Sequence, residues 1–157
     1  MLKTWIMALM LLIGTAGQLA AHCQVPCGIF DDPTRVKLMY EDIATIGRCI
    51  EQINVLSAAP EKNYNQLVRW ITTKDEHSEK LQELITNYFL AQRIKPRQPQ
   101  EPGYDKYIYQ LTLLHQLQIK AVKAKQSSSP ELVKEMKVLL KQFEDSYFAG
   151  INMETAK

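Results

Sequence analysis

Residues 31–56 read DDPTRVKLMYEDIATIGRCIEQINVL, and the spacing of their apolar side chains decides the fold class. Val36, Met39, Tyr40, Ile43, Ile46, Ile50, Ile53 and Leu56 recur at intervals of mostly three and four, which places them on one buried face of an α-helix. Asp32 ahead of Pro33 predicts the start: a carboxylate N-cap, then a residue whose fixed φ suits the first helical position. Ser57-Ala58-Ala59-Pro60 predicts the end. Cys49 falls among Ile46, Ile50 and Ile53 and is expected to be a small buried residue.

Toward the C-terminus the same period continues. A second helix is predicted from about Glu61 to Arg93, with Tyr64, Leu67, Val68 and Ile71 as one apolar stripe. Leu81, Leu84, Ile85, Tyr88 and Phe89 make a second stripe. Between them Thr72 to Ser78 stay polar through two turns, so the helix there either faces solvent, the simpler expectation, or lines a site. Pro96, Pro99 and Pro102 exclude a helix from Ile94 to Gly103 and predict an extended connector, to which no chemistry is assigned. A third helix carries Tyr104, Tyr107, Ile108, Leu111, Leu114, Gln118, Ala121 and Val122 on one side. Leu113 and Leu117 widen that face, so the helix is either deeply buried or also touches another subunit. Gln126 to Pro130 is a turn, and Ser129-Pro130-Glu131 opens a last helix with Leu132, Met136, Leu139, Leu140, Phe143 and Tyr147 as core positions. No stretch alternates with a period of two. The expected fold is all-α, an antiparallel up-down four-helix bundle with an N-terminal metal-binding hook.

Working back toward the N-terminus, Lys3 precedes an apolar run from Trp5 to Ile13, and small residues lead to Ala20-Ala21. The order is that of a secretory signal over residues 1–21, and the run is too short to span a bilayer. Cleavage is expected after Ala21; Gly17 and Ala20 stay open as sites, because Leu19 is larger than the usual pattern prefers. A lipoprotein anchor is excluded by His22, which stands where a small residue must precede Cys23. The mature domain, residues 22–157, is then periplasmic or extracellular, with no membrane attachment. A formal net charge of +2 gives no case for nucleic acid or an anionic membrane as partner.

The mature chain would open His22-Cys23-Gln24-Val25-Pro26-Cys27-Gly28-Ile29-Phe30. Freed at its N-terminus, His22 offers an α-amine and an imidazole, Cys23 a thiolate and a backbone amide, and Cys27 a second thiolate. Mixed nitrogen and thiolate donors favour square-planar Ni(II) or Cu(II), and the thiolates lower the metal's potential. Zinc would call for four side-chain ligands at other spacings, and His77 and His115 are distant in sequence. Two alternatives stay open on the residues alone: an exported nickel- or copper-binding protein without turnover, and a structural bundle closed by a Cys23–Cys27 disulfide.

The hook resembles that of the nickel superoxide dismutases, H-C-x-x-P-C-G-x-Y at the mature N-terminus. Arg69-Trp70-Ile71-Thr72-Thr73-Lys74 to His77, and Tyr88-Phe89 to Gln92-Arg93-Ile94-Lys95-Pro96, are also similar to that family's exported branch. The resemblance implies a four-helix bundle assembled as a homohexamer, one nickel ion per subunit and superoxide as substrate. It makes His22, Cys23 and Cys27 the metal ligands and catalytic residues, and gives Gly28 a place where the chain passes close to the site. Phe30 stands where the family has a tyrosine. The family also braces the hook histidine with a carboxylate on the first helix, for which Glu41 is a stand-in, and a basic residue on the second, near His77. Tyr88 is either a group near the substrate entrance or helix core.

Overall fold

In the computed structural model the described residues are 28–149; the signal segment and His22, Cys23 and Cys27 lie outside them. Four helices follow one another: α1 Asp32–Ala58, α2 Tyr64–Glu83, α3 Tyr104–Gln126 and α4 Glu131–Phe148. α2 runs on without interruption into a π-helical segment, Leu84–Arg93. Each helix packs on its neighbour in sequence, and α4 closes back onto α1. Cross-links show the antiparallel course: Asn54 Nδ2 donates to Ser128 O at 3.0 Å near one end, and Tyr40 Oη to Glu144 Oε2 at 2.9 Å toward the other. The fold is the all-α four-helix bundle that the periodicity predicts, with no strand among the described residues.

The core follows from the apolar faces of α1 and α4. Met39, Ile43, Ile46, Ile50, Met136, Leu140 and Phe143 are fully buried, and burial of each such side chain stabilises the fold by ~1.5–3 kcal/mol. Cys49 is buried and free, as expected. α3 is rotated from its predicted face: Gln110, Leu113, Leu114, Leu117, Ala121 and Ala124 point inward, while Ile108 and Val122 are left exposed.

α2 departs most from expectation. It begins at Tyr64, capped by Asn63 Oδ1, and Tyr64, Val68 and Ile71 are exposed rather than packed into this chain's core. Its polar middle, expected to be solvated, turns inward: Lys74 and Ser78 are buried. The reason lies across the bundle, where Lys74 Nζ donates to Ala124 O and, at 2.9 Å, to Lys125 O. Those carbonyls belong to the last turn of α3, which no intrahelical N–H can satisfy, and a cation there also suits the helix dipole. Lys74 is thus a C-terminal cap delivered by another helix, which its own helical period cannot reveal.

Candidate metal centre

Phe30 docks the start of the described chain onto the bundle. Its ring stands edge-on to Tyr88 with centroids 5.9 Å apart, and the Arg93 guanidinium carbon lies 4.3 Å from its centroid. Both contacts are favourable for an apolar ring, so the residue in the family tyrosine's place serves as an apolar stem. Just before it, Gly28 has φ +80°, and a Cβ there would meet nothing within 4 Å among the described residues. Conformation, not crowding by the described residues, calls for glycine at that point.

Asp31, not Asp32, is the N-cap of α1. Its Oδ1 accepts from Thr34 N at 3.1 Å, and its own N–H donates to Tyr88 Oη at 3.0 Å. Asp32 is released from capping and buried, with its carboxylate at the centre of a cluster. Tyr88 Oη donates to it at 2.6 Å, Tyr147 Oη at 2.8 Å, and Arg93 through Nε at 2.8 Å and Nη2 at 2.6 Å. A buried carboxylate is tolerable only when its lone pairs are filled in this way. Burial opposes its ionisation, but the donors from Arg93, Tyr88 and Tyr147 outweigh that and hold the Asp32 carboxyl below the ordinary range. Burial, and next the hydrogen bond to Asp32, push both phenols well above theirs.

The π-helical segment makes this cluster reachable. In an α-helix, residues five apart point ~140° away from one another. With i→i+5 bonding, as in Ile94 N–H to Phe89 O at 2.8 Å, such residues come round to one face. Tyr88 and Arg93 therefore meet the same carboxylate. Behind them Phe89, Phe143 and Tyr147 pack with centroids 5.0–5.5 Å apart, so the stem is tied through aromatic contacts to the centre of the core. Arg35 stacks over Tyr88 at 5.2 Å, and its Nε is buried without a hydrogen-bond partner among the described residues.

Further along α1 a different acid from the expected Glu41 meets His77. His77 Nδ1 lies 2.8 Å from Asp42 Oδ1. Glu41 is exposed and 3.8 Å from Lys37, because adjacent residues on a helix point ~100° apart. Glu41 is therefore not the carboxylate that faces His77. Burial raises the Asp42 carboxyl, against the pull of the His77 hydrogen bond. Tyr88 is 3% exposed with its only hydroxyl proton given to Asp32, so it belongs to the core side of the stem. His115 is exposed and takes no part.

No three His, Cys, Asp or Glu side chains among the described residues could hold a metal ion. The sequence model of one family, nickel-containing superoxide dismutase, matches residues 17–150. The chain belongs to that family. As a nickel-containing superoxide dismutase it is an oxidoreductase that acts on superoxide with nickel as cofactor. No curated protein and no solved structure matches the chain.

Sequence reasoning missed Asp32, Arg93 and Tyr147 as parts of the dismutase's stem. One signal was on the page: two aspartates stand before Pro33 where a cap needs only one.

Proposed function

We propose that this superoxide dismutase is exported, that its signal, residues 1–21, is removed after Ala21, and that His22 to Phe30 then form the nickel hook. His22 holds nickel through its α-amine and imidazole, Cys23 through its amide nitrogen and thiolate, and Cys27 through its thiolate, one ion per subunit. The family match, residues 17–150, takes in all three and is the observation that carries this assignment. The donor chemistry fits the metal, because thiolates bring a borderline divalent ion into a usable redox range. The stem fits it too: a loop that must keep its donors in place needs a rigid foot, and Phe30 and Asp31 supply contacts to Tyr88 and Arg93.

Bound nickel supplies one-electron exchange between Ni(II) and Ni(III), so that two superoxide anions and two protons give dioxygen and hydrogen peroxide. The chain's own residues do the rest. Phe30 and Tyr88 keep water from the stem. Tyr88 positions and does not donate protons, since losing its proton would set a phenolate beside the Asp32 carboxylate. Asp42 and His77 take the places of the supporting acid and base on the first two helices. Tyr64, Val68 and Ile71 on α2, with Ile108, Ile119 and Val122 on α3, are exposed and support assembly into a homohexamer. Among the described residues no helix is long and apolar enough to cross a membrane; the mature enzyme works in the periplasm or outside the cell.

Native intact-mass measurement of the exported protein tests the assignment. The expected species starts at His22, carries one nickel per subunit and consumes superoxide. A chain starting elsewhere, or a metal-free Cys23–Cys27 disulfide, overturns it.

A further inference from the structure

The connector from Ile94 to Gly103 does more than space two helices: with the head of α3 it walls a cleft of about 370 Å³. Arg93, Lys95, Arg97 and Lys106 line it, and no acidic residue among the described ones does. The floor is rigid. Arg93 is held from behind by both oxygens of Asp32, and Gln110 and Tyr147 beside it are 6% and 7% exposed. Lys106 Nζ donates to Ala149 O at 3.0 Å, which leaves two of its three ammonium hydrogens. Lys95 and Arg97 form no ion pair among the described residues. Glu101, the nearest acid of the connector, is engaged by Gln98 N–H at 2.9 Å.

A second source of positive potential opens onto the same space. Gly103, a lining residue, is the N-cap of α3 at φ +85° and offers no side chain to the first turn, where Tyr104 N–H is taken by Glu101 O at 3.2 Å and the N–H groups of Asp105 and Lys106 remain. Those groups and the helix dipole favour an anion, and the guanidinium fork of Arg97 matches the oxygens of a tetrahedral oxyanion. Arg93 is neutralised by Asp32, but Lys95, Arg97 and Lys106 have no ion-pair partner among the described residues and repel one another, a cost that a bound dianion removes.

We propose that this cleft is an oxyanion site of the phosphate class, separate from the nickel hook and independent of how the hook binds its metal. The anion is either free in solution or carried as a phosphomonoester on a lipid headgroup, two sources of one chemistry.

The test is calorimetric titration of the full mature protein with inorganic phosphate, ionic strength being held constant with sodium chloride. A Lys95→Ala/Arg97→Ala variant runs in parallel, with flotation on phosphatidylcholine vesicles with and without phosphatidic acid. The expected result is one saturable phosphate site per chain, weakened at least tenfold in the variant while the melting temperature holds. Variant-sensitive binding to phosphatidic acid vesicles alone would assign the same chemistry to a headgroup. The proposal falls if neither probe saturates, if the variant binds as well as the parent, or if chloride displaces phosphate at equal ionic strength. Should the double variant not fold, Arg97→Gln gives the same readout.

Discussion

Asp32 and Asp42 lie roughly three turns apart along α1 and ~80° apart around it, and both are buried, yet their surroundings drive them in opposite directions. Asp32 receives four hydrogen bonds from three side chains and stays ionised below the ordinary range. Asp42 has His77 as its one side-chain partner, and burial lifts it. The difference teaches that burial alone does not decide a carboxylate's state; the number of donors aimed at it does.

The contrast breaks most visibly at Asp32. Replacing Asp32→Ala leaves the Arg93 charge and two phenols facing an apolar gap, and chemical denaturation should show a loss of ~3–5 kcal/mol. Tyr147→Phe removes one donor and keeps the ring packing, so the expected loss is ~1.5 kcal/mol. Asp42→Asn should change stability by less than ~1 kcal/mol, because its pair with a partly exposed histidine is weak and costs burial to keep. A loss at Asp42 as large as that at Asp32 would erase the distinction.

Acid sharpens the comparison. The Asp32 carboxyl is depressed on folding, so its contribution is complete above its ordinary value of 3.8 and disappears as pH falls through the lower, folded value. The stability gap between the parent and Asp32→Asn should accordingly narrow below about pH 3.8. Asp42 is raised, so its ionised form subtracts from stability above the folded value, and that penalty fades as pH drops. The Asp42→Asn gap should therefore shift in the window above 3.8, not below it. Denaturation midpoints across pH 2.5–6 measure both on the parent and the two variants; a common pH dependence would contradict the account.

Much of this was legible from residue order. Periods of three and four named the buried faces of α1 and α4 almost residue by residue, since an apolar stripe needs only its own helix to be seen. What escaped depends on partners far away in the chain. Asp31 and Asp32 look alike to a capping rule, and only the donors from Tyr88, Arg93 and Tyr147 tell them apart. Lys74 turns inward because α3 ends beside it. The π-helical turn that unites Tyr88 with Arg93 shifts the helical period itself, so no template of three and four could register it. The stripe of Tyr64, Val68 and Ile71 is apolar in sequence and exposed in the fold, because apolar spacing does not say which surface does the covering. The proposed hook was the reverse case: its donor types spoke in sequence, while His22, Cys23 and Cys27 lie outside the described residues.

The most direct test lengthens the mature protein by one alanine ahead of His22 and measures superoxide consumption alongside helicity. Helical content and melting temperature should match the parent while turnover is lost, because the α-amine would no longer belong to the histidine. Parent-level turnover in the extended protein would contradict the N-terminal nickel centre.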